Sequence, residues 1–189
     1  MQPPISAPQI TSITLSSWRQ NPAPVYVAQG TLMGVHAFVL GAEPGLVYLG
    51  LITPELSLEA QLARWQNKHQ SPVIQDETPF DFAHWINRTW VLIGSEFQCR
   101  VWRALLNIPE GQVTSYKTLA TAVNSPRGYQ AVGQAVGANP LSVLVPCHRV
   151  ICQNGDLGGY HWGLPLKKQL LVQEGAMTVG GGEKLVPRS

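Results

Sequence analysis

Two hydrophobic periodicities divide this chain, and one kind of layer cannot satisfy both. Between Val25 and Ile52 the apolar residues form three short β-rich runs, Val25–Ala28, Leu32–Leu40 and Gly45–Ile52, separated by Gly and Pro punctuation. From Ser95 to Gly175 they recur at helical spacing instead. The first pattern predicts a three-stranded antiparallel meander. Leu58, Leu62 and Trp65, within Glu55–Gln66, predict a helix covering one of its faces.

The second half predicts helices throughout. Ser95-Glu-Phe-Gln98 has the form of a capping box, with Phe97, Val101, Trp102 and Leu105 on one face of the helix it opens. Ser115 can cap a second helix through Leu119, Ala120 and Val123, and a third runs from about Gly128 to Gly137 with a face of Gly and Ala. Two short helices joined by a tight turn make a helix-turn-helix shape. Leu141–Val145 reads as a buried strand, and a last helix spans Leu166–Glu174, with Lys167 and Lys168 exposed and Gly175 as its stop. The fold class is therefore α/β, of the segregated α+β kind.

The expected organisation is a Pro-, Ser- and Gln-rich surface arm over residues 1–22, an αβ domain over 23–93, a helical domain over 94–176 and a flexible tail over 177–189. The αβ domain includes a polar connection over 67–80, a short helix Phe82–Asn87 and the apolar run Trp90–Ile93. The tail, Gly180–Ser189, resembles a linker running into a thrombin-type tag remnant.

At 189 residues with 44% hydrophobic content, a packed core is within reach. The formal net charge is only +2, which excludes a polybasic tail. The charge is nonetheless uneven. Residues 95–175 hold Arg100, Arg103, Lys117, Arg127, Arg149, Lys167 and Lys168 against Glu96, Glu110, Asp156 and Glu174, whereas residues 1–94 carry a net negative charge. A modestly basic second half is compatible with a polyanion partner. The start lacks the pattern of a signal peptide, and no window approaches the roughly 20 apolar residues of a membrane span. Cys99, Cys147 and Cys152 are odd in number with no CxxC pair, so neither a disulfide framework nor a structural zinc site is indicated. The expectation is a cytoplasmic monomer with no membrane association, no cofactor and no metal. His36, His69 and His84 have no ligand spacing.

Chemistry concentrates in Pro146-Cys147-His148-Arg149. A cysteine at the end of an apolar run is ordinarily a packing residue. Packing does not ask for His and Arg directly after it, whereas a reactive thiol needs a nearby base or cation. Cys152, five residues on, is read as packing, and His161 is equally divided between a substrate contact and an ordinary loop residue.

In order and spacing, Phe97-Gln-x-x-Val-Trp102, Ile108-Pro-x-Gly111, Val113-Thr-Ser-Tyr116, Ala131-Val-Gly133, Gly137-Ala-Asn139-Pro140, Pro146-Cys-His-Arg-Val150, Gly159-Tyr160 and Leu170-Leu-x-x-Glu174-Gly175 resemble the O6-alkylguanine-DNA alkyltransferases. The resemblance covers about 80 residues. It implies a ribonuclease-H-like N-terminal domain, a C-terminal domain with a helix-turn-helix, and direct-reversal repair of alkylated DNA. In that repair a flipped guanine, with O4-alkylthymine as a second lesion, transfers its alkyl group once and irreversibly to a cysteine.

Carried over, Cys147 is the acceptor, His148 its base through a bound water, and Glu174 the group orienting the histidine. Tyr116 assists the leaving guanine and Asn139 braces the cysteine segment, while Val150, Gly158, Gly159 and Tyr160 line the base pocket. Arg127, Gly128, Tyr129, Gln130, Ala131, Gly133, Pro140 and Arg149 complete the implied DNA-contacting set. One departure stands out. The family places an arginine before Ala-Val-Gly, inserted where the flipped base stood, and this chain has Gln130 there, preceded by Tyr129.

Two rivals belong to other classes. A non-enzymatic lesion-binding protein of similar sequence would replace the reactive cysteine, and Cys147 is present. A Cys-His hydrolase would turn over many times.

Overall fold

The computed structural model describes residues 8–43, 45–75, 81–177 and 185. It divides into two compact units, Met1–Ser95 and Glu96–Ser189. Most of the expected tail lies outside the described residues, though Leu185 packs against the cluster of Val113, Ile151 and Leu171.

The first unit is built on the antiparallel meander β2 (Val25–Leu32), β3 (Val35–Ala42) and β4 (Gly45–Leu51). The sheet is larger than the expected three strands. β1 (Ile10–Thr14), β5 (Val73–Ile74) and β6 (Trp90–Gly94) join it in the order β1-β6-β4-β3-β2-β5, and each pairs in parallel with its neighbours. A two-residue strand and a Ser/Thr-rich one carry little hydrophobic pattern, and their partners are remote in sequence.

Both faces of the sheet are covered, which is why β3 is apolar without alternation from Ala37 to Ala42. On one face, α2 (Leu58–His69), capped by Ser57, sets Leu62 and Trp65 against Val25, Val27, Phe38 and Leu40. On the other, α3 (Phe82–Ile86) lays Trp85 on Gly41, where even a methyl group would fall 2.1 Å from the indole.

The arm expected over residues 1–22 is corrected within its described part. Ile10–Thr14 is strand β1, and Thr14 caps α1 (Leu15–Gln20) by accepting from the Ser17 amide. Trp18 is buried, packs edge-on to Trp65 with ring centroids 6.4 Å apart, and donates from Nε1 to Ser71 Oγ at 2.8 Å. A single large aromatic outweighs the polar composition around it.

The second unit holds α4 (Glu96–Leu105), α5 (Tyr116–Ala122), α6 (Tyr129–Gly137) and α7 (Leu164–Gln173). A short parallel pair joins β7 (Thr114–Ser115) to β8 (Val150–Ile151). Trp102 of α4 is buried and donates to the Ala135 carbonyl of α6 at 2.7 Å. No helix among the described residues is long and apolar enough to cross a membrane.

Replacing Trp18 by Ala should cost about 3 to 5 kcal/mol, as for other fully buried large aromatics, read as a lowered urea midpoint. An unchanged midpoint would return the segment to a surface arm.

Candidate active site

The run before Cys147 is not a strand. Leu141–Val145 folds into a turn closed by a Ser142–Val145 bridge and by the Val145 amide donating to the Leu141 carbonyl at 2.8 Å. Val143 takes φ +72° at its tip, a left-handed conformation costly for a β-branched residue. Pro146 has no amide to donate to a ladder. The side chain of Asn139 supplies what a partner strand would: Nδ2 donates to the Val145 carbonyl at 2.7 Å, and Oδ1 accepts from the Leu141 amide at 3.0 Å. The chain then enters a 3-10 turn, Cys147–Arg149, that leads into β8.

Cys147 is buried, and Asn139 Nδ2 also donates to its sulfur at 3.1 Å. Burial pushes the thiol pKa up, opposed by the Asn139 hydrogen bond and the nearby charge of Lys167. Behind it, His148 Nε2 meets Glu174 Oε1 at 2.8 Å. Arg149 grips the same carboxylate through Nε and Nη2, each at 2.8 Å, and reaches the Ile108 carbonyl through Nη1 at 2.6 Å. Burial works against the Glu174 charge, but hydrogen bonds from His148 and then Arg149 outweigh it and hold the carboxyl down to about 2. An ionised carboxylate can only accept, so the nitrogen that faces it, Nε2, carries a proton, and Nδ1 is the nitrogen left to act as an acceptor. Nδ1 is buried and has no hydrogen-bond partner.

Above the thiol lies a cavity of about 230 Å³ lined by Tyr116, Gly133, Val136, Gly137, Asn139, Ser142, Cys147, Gly159, Tyr160, His161 and Trp162. That is smaller than the roughly 300 to 1,000 Å³ of drug-sized sites and suits a single heterocycle. Burial, reinforced by Cys152 and Cys147, raises the Tyr116 pKa and keeps its phenol protonated. The Tyr160 hydroxyl is buried beside Cys147, and its pKa is held well above the ordinary value by burial and then by Cys147.

Of the residues expected to form the site, the cavity gathers Tyr116, Gly133, Asn139, Cys147, Gly159 and Tyr160. Two others expected to line the pocket do not. Val150 is fully buried in β8, paired with Thr114. Gly158 stands behind the Tyr116 ring at φ +66°, where a Cβ would lie 3.3 Å from Tyr116 Cε2 and 3.1 Å from Cys152 Sγ. Pro140 is buried, and Arg127, Tyr129, Gln130 and Ala131 are exposed at the start of α6, with Gly128 as the residue before it.

Val136, Gly137, Ser142 and Trp162 were not anticipated. Helical spacing from Gly133 marks the first two, while nothing local marks Trp162, whose Nε1 donates to Ser142 Oγ at 2.7 Å. Lys167 corrects a plain expectation: it is fully buried, not exposed. Its Nζ donates to the carbonyls of Val150, Leu157 and Gly159, tying β8 to the loop that carries Tyr160. Burial lowers its pKa to about 8, with Cys147 and Cys152 acting in the opposite direction. The signal was present, since Lys167 lies three and four residues before buried Leu170 and Leu171. Among the described residues no group of three or more His, Cys, Asp or Glu could hold a metal ion.

The depressed Glu174 pKa sets a stability window. The carboxylate's contribution is complete above its ordinary value of 4.5 and is lost as pH falls from there to about 2. Glu174→Gln should flatten the acid limb of a urea-midpoint-versus-pH curve and cost about 3 kcal/mol at pH 7. An unchanged acid limb would mean the carboxylate is not so held. Gly158→Ala, strained at its φ and crowding Tyr116, should cost about 1 kcal/mol or more, measured the same way; a neutral result would show that the loop can shift.

Comparison with known proteins was made on sequence and on structure. Residues 96–176 match the family model described as 6-O-methylguanine DNA methyltransferase, DNA binding domain. The inducible methylated-DNA–protein-cysteine methyltransferase of Bacillus subtilis is 51% identical over 81 residues, 43% of this chain and 45% of that protein. The methylated-DNA–protein-cysteine methyltransferase of Lodderomyces elongisporus is 39% identical over 123 residues, 63% of this chain and 57% of its own length. The chain thus spans about half the length of these curated relatives. Among solved structures, that of Mycobacterium tuberculosis OGT in complex with DNA superposes with a TM-score of 0.64 at 30% identity, covering 79% of this chain and 93% of that one. An O6-methylguanine-DNA methyltransferase from Pyrococcus kodakaraensis, at 23% identity and a TM-score of 0.61, shares the mixed α/β fold. With a 30%-identical structure matched over nearly its whole length and the family's own model covering residues 96–176, the chain belongs to the O6-methylguanine-DNA methyltransferase family.

Proposed function

We propose that this protein repairs DNA by direct reversal, moving the alkyl group of O6-alkylguanine onto Cys147 in one irreversible turnover. The observation that carries the reading is Cys147 lining a cavity the size of one base, with the next residue, His148, hydrogen-bonded to Glu174. The Glu174 carboxylate accepts from His148 Nε2–H, so Nδ1 is free to take the thiol proton through an intervening water. Asn139 Nδ2 then donates to the developing thiolate. The sulfur attacks the alkyl carbon, a carbon–sulfur bond forms, and the bond from that carbon to guanine O6 breaks with its electron pair passing to the purine. Tyr116, kept protonated by burial, is the donor that neutralises the departing guanine. The thioether has no low-energy exit, so each molecule acts once.

On this reading α5 and α6 form a helix-turn-helix that binds alkylated DNA, and the lesion is flipped out of the duplex into the cavity. The sheet of the first unit is of the ribonuclease-H-like kind. The protein acts as a cytoplasmic monomer without a cofactor, and its three free thiols suit a reducing compartment.

Incubation with duplex DNA containing O6-methylguanine, followed by intact-protein and peptide mass spectrometry, should show one methyl group per molecule on Cys147 and none on Cys147→Ala. The same assay with O4-methylthymine tests the second lesion. Repeated turnover would favour a hydrolase. Damage-specific binding that leaves the protein unmodified would make it a lesion binder.

A further inference from the structure

Tyr129 has no packing reason to be where it is. It is 57% exposed, one of two large apolar side chains left in water among the described residues, the other being Leu164. It opens α6, and helical spacing places it in line with Gly133 and Gly137, four and eight residues on, both of which line the cavity over Cys147. At 1.5 Å of rise per residue Tyr129 stands about 6 Å before Gly133. Gly133 places no side chain between Tyr129 and Gly137, and Val136, seven residues on from Tyr129, lines the cavity beside the two glycines.

Extruding a base opens a gap in the stack, and proteins that unstack base steps commonly fill such gaps with an apolar side chain. We infer that Tyr129 is that wedge: its ring stacks in the duplex where the flipped base stood, and Gln130 beside it serves as a neutral hydrogen-bonding group for the partner base. The inference rests on the base-flipping reading proposed above. It gives this chain an extrusion device that works by stacking rather than by a cation, so its benefit should survive added salt and should belong to double-stranded substrates alone.

The test measures single-turnover rates with O6-methylguanine in a duplex and in a single strand, for wild type, Tyr129→Ala, Tyr129→Phe and Gln130→Arg. Tyr129→Ala should lower the duplex-to-single-strand rate ratio about tenfold or more, in keeping with the stacking energy of one base on one aromatic ring. Tyr129→Phe should hold that ratio within about twofold, since the ring and not the hydroxyl does the stacking. Gln130→Arg should restore little of the ratio in the Tyr129→Ala background. An unchanged ratio in Tyr129→Ala, a Phe variant as impaired as Ala, or full rescue by arginine would overturn the assignment. Fluorescence of a duplex carrying 2-aminopurine at the lesion position, read with Cys147→Ala protein, separates the two claims. Brightening that depends on Tyr129 supports the wedge even if no alkyl transfer occurs, and brightening that ignores Tyr129 rejects the wedge even if transfer is efficient.

Discussion

One buried carboxylate holds the reactive centre together. Glu174 receives His148 Nε2 and Arg149 Nη2 on Oε1 and Arg149 Nε on Oε2, all at 2.8 Å. Through those bonds the end of α7 is tied to the 3-10 turn that carries Cys147, and through Arg149 Nη1 the turn is tied to the Ile108 carbonyl after α4. Buried ion pairs are often no more stabilising than a well-packed apolar substitute. The advantage of this one is chemical: an anion that can only accept dictates which histidine nitrogen is bare, and Gly175 at φ +72° ends the helix directly after it.

Cys147 is held as a thiol. A fully buried thiol resists ionisation, and although Asn139 and Lys167 both favour the thiolate, burial prevails and the pKa stays raised. At rest Cys147 is therefore a neutral thiol, a poor target for soluble oxidants, whose attack follows thiolate character and exposure. Ionisation therefore needs a base to draw off the proton, and His148 is the next residue in the chain.

The centre of the candidate site was legible in the sequence because it is local. Cys147, His148 and Arg149 are consecutive, and Ser115 announces both the cap of α5 and the position of Tyr116. The helices of the second unit and the β2–β3–β4 meander were legible for the same reason, each being written in a short-range period. What escaped depends on contacts distant in sequence. Strand β1 is stabilised by β6, some 80 residues on. The run Leu141–Val145 has the composition of a strand, but an asparagine side chain takes the place of the partner strand and Pro146 withholds a donor. Lys167 was read as solvent-facing because lysine usually is. Three carbonyls make its burial tolerable, and no lysine announces three carbonyls in advance.

The site separates into two halves with different physics. Its floor consists of largely buried, hydrogen-bonded groups: Asn139 against the thiol, Glu174 against His148, Lys167 pinning the loop of Tyr160. Altering any of them leaves a buried donor, acceptor or charge unsatisfied, so these positions have little freedom to vary. Its approach consists of exposed side chains, Arg127 in the turn before α6 and Tyr129 and Gln130 on its first turn, which can be exchanged at small cost to folding. The exposed approach can therefore change in sequence while the buried floor stays fixed. Position 130, a neutral amide beside an aromatic ring, lies on that changeable side and departs from the motif the sequence otherwise resembles.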